Sequence, residues 1–379
     1  MVIEQNRWIR SVGWDSGAIG RLGPSAQLVL LFGGTSILKE RNWLGEFKKA
    51  YPNARVFGCS TAGEICGTQV SDDSVVATAV KFDYSRLQGA HVPINKLKNS
   101  FEAGERLGQA LNPAELVHVL VLSDGLTVNG SDLVRGLTKN LLRGVSITGG
   151  LSADGERFKE TLVLCDSPAK PNTVGVLGLY GKRLKVGCGS MGGWDPFGPE
   201  RLITRSSGNV LYELDGKSAL DLYRNYLGEH AKGLPATGLL YPLSLRIQEG
   251  TAGVVRTILS IDERERSMTF AGDVPEGAYA RLMKANFDRL IDGAVGAAKI
   301  SHEAIGSSAP DLAILISCVG RRLVLKQRIE EEVEGVQEIL GDRTVLTGFY
   351  SYGEISPFSR DAKCELHNQT MTITTFSER

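Results

Sequence analysis

No stretch of this 379-residue chain holds about 18 consecutive apolar residues, and its opening, "MVIEQNRWIRSVGW", lacks the continuous apolar core of a signal peptide. No membrane is expected, and the expected location is cytoplasmic. An excess of charge of one sign is also missing. Lys plus Arg (43) balance Asp plus Glu (43), and no basic run is interleaved with aromatics, so the electrostatic footprint of a nucleic-acid binder is absent.

Cys59, Cys66, Cys165, Cys188, Cys318 and Cys364 form no CxxC pair, nor a zinc-like cluster with the five histidines. They read as reduced thiols, mostly buried within or beside strands. A P-loop would need GK[ST] after its glycines and a dinucleotide fingerprint would need GxGxxG between strand and helix; neither stands in register.

What the chain does have is glycine, 45 of 379 residues, or near 12% against a usual usage of about 7%. Several recur in a pattern. "FGCSTAGEICG" (Phe57–Gly67) and "GFYSYGEISPF" (Gly348–Phe358) each write Gly, four residues, then Gly-Glu-Ile. "GLSADGE" offers a third copy with Gly150, Gly155 and Glu156. An apolar strand and a helix precede each copy. These are "QLVLLFGG" with a helix over Ile37–Tyr51, "LVHVLVLSDG" with a helix from Ser131, and "DLAILISCVG" with a helix over Arg328–Leu340. Three matches in equivalent positions predict a duplicated unit.

Further strands are expected at Val75–Phe82, Leu87–Ile94, Glu160–Cys165, Val174–Tyr180, Leu184–Ser190 and Arg201–Leu214, many apolar on consecutive residues as in doubly covered sheets. "ELDGKSALDLYRNYLG" reads as a helix capped at Asp215 or nearby and ended by Gly228, and Glu229–Pro242 reads as a Gly- and Pro-rich linker. Strands Gly253–Ile261 and Ser267–Ala271 form a hairpin pattern, followed by a helical stretch over Gly277–Ile305. The expected fold is α/β, a two-domain sandwich of large mixed β-sheets flanked by helices with internally repeated strand-helix-strand units. The expected domains are 1–228 and 229–379.

Within the repeated loops, Cys59, Ser60, Thr61 and Glu64 in one copy match Ser351, Tyr352 and Glu354 in another. Hydroxyls beside a glycine-loosened backbone can cradle a small polar ligand, and they equally make satisfied turns whose glutamates accept backbone N–H bonds. "GGWDPFGPE" sets Trp194 among glycines as a pocket wall or a rigid crossover. Cys59 or Ser60 as a nucleophile would make the chain a hydrolase, but the sequence places no triad partner, so an enzyme is not expected. His118 reads as a core residue, while His367, His230 and His302 are the histidines open to binding a haem iron.

"VFGCSTAGEICG", "GGWDPFGPERLITRSSGNVLYELDGKSALDLYRNYLG", "CVGRR", "GFYSYGEISP" and "LHNQTMTITTFSE" together resemble the FIST domain family over nearly the whole chain. The resemblance implies a sensory, ligand-binding module. Amino acids are one implied ligand class. The other is non-covalent haem b sensing nitric oxide, with a histidine kinase of a two-component system or a cyclic-di-GMP enzyme as separate partner. No CxxCH attachment site is present. Oligomeric state is not legible, and a homodimer is one reading.

Overall fold

The structure, a computed structural model, describes residues 1–246, 253–306, 309–357 and 363–378. Three six-stranded mixed sheets repeat one plan. Each is centred on two parallel strands joined through helical segments: Leu28–Gly33 with Arg55–Ser60, Leu116–Ser123 with Ser146–Leu151, and Leu312–Cys318 with Val345–Ser351. The first strand of each pair has an antiparallel neighbour, which is Ser74–Lys81, Thr173–Tyr180 or Met371–Glu378. Outside those lie Val2–Ile9, Arg86–Pro93 and Leu184–Met191.

The second parallel strand takes its neighbour from another unit. Glu64–Cys66 of the first unit pairs in the third sheet, Gly353–Pro357 of the third in the second, and Val163–Cys165 of the second in the first. The exchange is cyclic, so each unit covers an edge that its neighbour would otherwise expose. It also ties the two halves of the sequence together, because strands before residue 228 and after it share two of these sheets.

Consecutive apolar residues in the central strands have partners on both sides. Leu30, Phe32, Leu120, Leu122, Ile314, Ile316 and Phe349 meet in one core shared by the three sheets. Phe32 and Phe349 lie 4.7 Å apart by ring centroid. Val29 and Leu31, on the other face, pack with Trp43 and Phe47 of the first unit's helix Trp43–Ala50. The second unit's helices Ser100–Ala110 and Gly130–Asn140 approach backbone to backbone. A Cβ on Gly104 would stand 2.3 Å from the Leu133 carbonyl oxygen, and one on Gly136 would stand 2.1 Å from that of Phe101.

A fourth, eight-stranded sheet interrupts the third unit between Leu184–Met191 and Leu312–Cys318. Helix Ala219–Leu227 packs on it through Leu220, Tyr223 and Leu227. No helix among the described residues is long and apolar enough to cross a membrane. All six cysteines are free thiols, with Cys59, Cys165, Cys188 and Cys318 buried.

Several expected elements differ. The single helix over Ile37–Tyr51 is two, Thr35–Glu40 and Trp43–Ala50, because Asn42 caps the second by accepting the Gly45 N–H. The strand over Arg201–Leu214 is a hairpin of Asp195–Ser207 and Val210–Leu214, turning at Gly208 with φ +58°. The helical stretch over Gly277–Ile305 divides into strand Tyr279–Lys284 and helix Phe287–Ile305, capped by Asn286. Ser218, not Asp215, caps the helix Ala219–Leu227, and the linker region holds 3-10 turns at Gly228–Gly233 and Ala236–Leu240. The third repeat copy is out of register by one residue. It is Gly149, not Gly150, that matches Gly58 and Gly348 in pressing on the partner strand's carbonyl, and Glu156 is exposed.

Candidate functional site

The repeated loops meet at a three-way junction. Ala62 N donates to Tyr350 O (2.8 Å), Tyr350 N to Gly63 O (2.9 Å), Ala153 N to Ser60 O (3.0 Å) and Tyr352 N to Leu151 O (3.1 Å). Two glutamates have the same job there. Glu64 Oε1 accepts Thr61 Oγ1, and Oε2 accepts Ser74 N (3.1 Å) and Oγ (2.7 Å). Glu354 Oε1 accepts Ser351 Oγ (2.6 Å), and Oε2 accepts Thr370 N (3.1 Å) and Oγ1 (3.0 Å). In the second unit Asp124, just past the end of strand Leu116–Ser123, accepts Thr161 Oγ1 (2.9 Å) and Asn172 N (3.1 Å) through Oδ2.

The structure thus brings Cys59, Ser60, Thr61, Glu64, Ser351, Tyr352 and Glu354 together, as buried groups that bond the protein itself. Ser60 Oγ accepts Leu162 N at 2.8 Å, and burial, then Glu64, pushes the Cys59 thiol pKa well up. Tyr352 donates to Asp154 and to Gly155 O (2.9 Å) and stacks on Phe158 at 4.6 Å. Trp194 Nε1 donates to Gln369 O at 3.1 Å, fastening the segment before the inserted sheet to the third unit.

Burial raises the Glu64 carboxyl to about 7 and Glu354 to about 8, against the hydrogen bonds that lower them. Both protons are held more tightly in the folded protein than in the unfolded chain, where a glutamate titrates near 4.5. Their contribution to stability is therefore full below that value and lost as pH rises through about 7 and about 8. Glu64→Gln with Glu354→Gln is expected to flatten the decline of Tm between about pH 5 and about pH 8. An unchanged slope would assign that decline to other groups.

The three histidines stand apart. His367 is buried with Nε2 2.7 Å from Ser356 O, and burial lowers its pKa to about 4. His302 lies near the end of helix Phe287–Ile305, its Nε2 buried and without a hydrogen-bond partner among the described residues. Exposed His230 has its ring 5.9 Å from that of Tyr241, which lines an open cleft of about 760 Å³ together with Phe287, Leu323, Val324 and Leu325. None of the three lines any of the five cavities among the described residues, but His230 neighbours the cleft of about 760 Å³ through Tyr241, and His302 precedes Glu303–Gly306, which line a cavity of about 600 Å³. No group of three or more His, Cys, Asp or Glu among the described residues could hold a metal ion.

A smaller cavity, with a hydrogen-bonded polar network in its wall, lies elsewhere. It measures about 220 Å³, and its sides are Ser131, Val134 and Arg135 of helix Gly130–Asn140, Leu245 and Arg256 of the inserted sheet, Asp273 and Pro275, and Cys364–Leu366. Asn129 organises it. Its Oδ1 caps the helix by accepting Ser131 N (3.0 Å) and Asp132 N (3.3 Å), while its Nδ2 donates to Asp273 Oδ1 (2.7 Å). Arg135 pairs with Asp273 Oδ2, and Asp273 N donates to Ser131 Oγ at 3.1 Å. Gly272 leaves room for these groups: a Cβ there would stand 2.6 Å from Ser131 Oγ and 2.7 Å from Leu366 Cδ2, so those side chains would have to shift. Ser131, Arg256 and Asp273 escaped the sequence reading. The one available signal was an arginine inside the apolar strand "GVVRTILS".

Residues 27–217 match the FIST N domain and residues 219–357 the FIST C domain. An uncharacterised protein of Methanocaldococcus jannaschii is 26% identical over 205 residues, which is 50% of this chain and 38% of that protein, so the chain spans well under half of its length. A crystal structure of cyanuric acid hydrolase from A. caulinodans aligns over 100% of this chain and 99% of its own, at a TM-score of 0.38 and 9% identity, too distant for any transfer of activity. With both domains matched in order across most of its length, the chain belongs to the FIST family of signal-transduction sensor domains that bind small ligands.

Proposed function

We propose that this protein is a cytoplasmic sensor whose ligand occupies the cavity on the seam between its FIST N and FIST C domains, and whose bound state is read by a separate histidine kinase or cyclic-di-GMP enzyme. Binding, not turnover, is the proposed activity. The observation behind it is the double origin of the walls: Ser131–Arg135 come from the N domain, and Leu245, Arg256 and Asp273 from the C domain. A ligand there touches both, so its differential contacts can shift how the domains are held. The volume of about 220 Å³ is below the roughly 300–1,000 Å³ of drug-sized pockets and suits a metabolite such as an amino acid.

Thermal unfolding of the apo protein with each common amino acid tests this. One ligand is expected to raise Tm, by mass action, and Val134→Phe, which fills the cavity, is expected to abolish the rise. A rise that survives Val134→Phe would place the ligand elsewhere.

The second reading is haem b with nitric oxide as signal, in the cleft beside His230. Its support is the apolar wall of Leu240, Phe287, Leu323 and Leu325 with Lys284 and Lys326 available to acidic side groups. The prediction is a Soret band that nitric oxide shifts and that His230→Ala removes. Colourless protein that fails to take up haemin would eliminate this reading and leave the metabolite.

A further inference from the structure

Arg256 is 7% exposed and sits on the edge strand of the inserted sheet, between that sheet and the second unit. Its Nε donates to Asp273 O (3.0 Å), and its Nη1 to Val255 O (3.3 Å) and Leu366 O (3.0 Å). All three acceptors are neutral carbonyls. Nη2 has no partner among the described residues, on a side chain that lines the seam cavity.

The nearby carboxylates do not neutralise it. Asp273 is taken by Arg135 and by Asn129 Nδ2 (2.7 Å), and Glu365 is exposed. Both act on Arg256 only at a distance, and burial lowers its pKa to about 10, so it is charged at neutral pH. A buried guanidinium without a counter-charge is costly, since buried charges are normally paired and hydrogen-bonded. The neighbouring hydroxyl is also available. Ser131 Oγ accepts Asp273 N, which leaves its own proton to donate. Around these two donors the walls are apolar, with Val134, Leu245, Val254 and Leu366.

We infer that the seam cavity is an anion site: Arg256 Nη2 and Ser131 Oγ hold the carboxylate of a small organic acid whose apolar tail packs on Val134, Leu245 and Leu366. The inference rests on the seam reading above and adds the chemical class of its ligand. The carboxylate supplies a counter-charge that no described residue gives Arg256 in direct contact, and an Arg fork with a hydroxyl beside it suits two-oxygen recognition. A free short-chain acid and an apolar amino acid present the same group.

The test is thermal unfolding of the full chain with four probes: isovalerate, leucine, isovaleramide and inorganic phosphate. Isovalerate or leucine is expected to raise Tm by about 2–4 °C at saturation, with isovaleramide inert. The two acids separate the sources, since leucine alone would point to an amino acid. Arg256→Gln should remove the rise. Because Arg256 also latches three carbonyls, Ser131→Ala is the gentler variant and should weaken apparent affinity several-fold while the unliganded Tm changes little. An equal rise with isovaleramide, lost in Val134→Phe, would overturn the anion class and keep the seam site. A rise with phosphate alone would overturn the carboxylate. An isovalerate rise that survives Arg256→Gln and Val134→Phe, or no rise with any probe, would overturn the site, leaving Arg256 as a latch only.

Discussion

Gly58→Ala, Gly149→Ala and Gly348→Ala are each expected to lose at least about 3 kcal/mol of stability, enough to leave little folded protein at 37 °C. At each position a Cβ would stand 1.9 Å from a backbone carbonyl oxygen of the partner parallel strand, that of Leu31, Val121 and Leu315 respectively. Those partners are register neighbours in the three central strand pairs, so the same collision occurs once per unit. Relief would require moving a central strand, and each such strand carries ladder bonds on both sides as well as the shared apolar core. Gly89→Ala is the control, because its nearest neighbours would be 3.6 Å away and a change within about 0.5 kcal/mol is expected. Urea unfolding midpoints decide it; an alanine at Gly348 as stable as wild type would mean that the central pair can part without cost.

Those glycines also show how far the sequence was legible. The spacing from Gly58 to Glu64 and from Gly348 to Glu354 exposed two units, because the same turn needs the same glycine and the same carboxylate on an N–H at or just before the start of a later strand. The second unit was misread by one residue, since "GG" offers two candidates and its carboxylate, Asp124, comes from the loop after the first strand of the parallel pair. Spacing cannot register a role handed to another element. Tyr279–Lys284 failed as an expected helix for a related reason. Its partners, Asp195–Phe197 and Leu243–Arg246, are remote in sequence, and strand pairing of that kind overrides a local helical pattern. The seam cavity was least legible of all, because its walls come from four separated segments and its one oddity, a charged residue in an apolar strand, names no partner.

Glu332→Gln is the other change with a large expected effect, a loss of about 3–5 kcal/mol, because it strands the fully buried Arg321 guanidinium. Arg321 donates to Glu332 Oε2 through Nε (3.1 Å) and Nη2 (2.7 Å), and Glu332 Oε1 accepts Ser317 Oγ (3.2 Å) and Tyr350 OH (2.7 Å). Replacing both members of a buried pair by apolar residues is often neutral or stabilising. Here Arg321→Met with Glu332→Leu should not restore wild-type stability, because the pair serves further groups. Arg321 Nη1 caps Gly192 O (3.0 Å) and Nη2 caps Leu290 O (2.6 Å), which anchors both the segment leading to Trp194 and the start of helix Phe287–Ile305. Removing both side chains leaves the Gly192 carbonyl and two hydroxyls, those of Ser317 and Tyr350, without the partners Arg321 and Glu332 supply, each costing about 1–3 kcal/mol. The double variant should therefore be at least as destabilised as Glu332→Gln in urea. Recovery of wild-type stability would show that Arg321 and Glu332 hold only each other, and that the junction at Tyr350 stands without them.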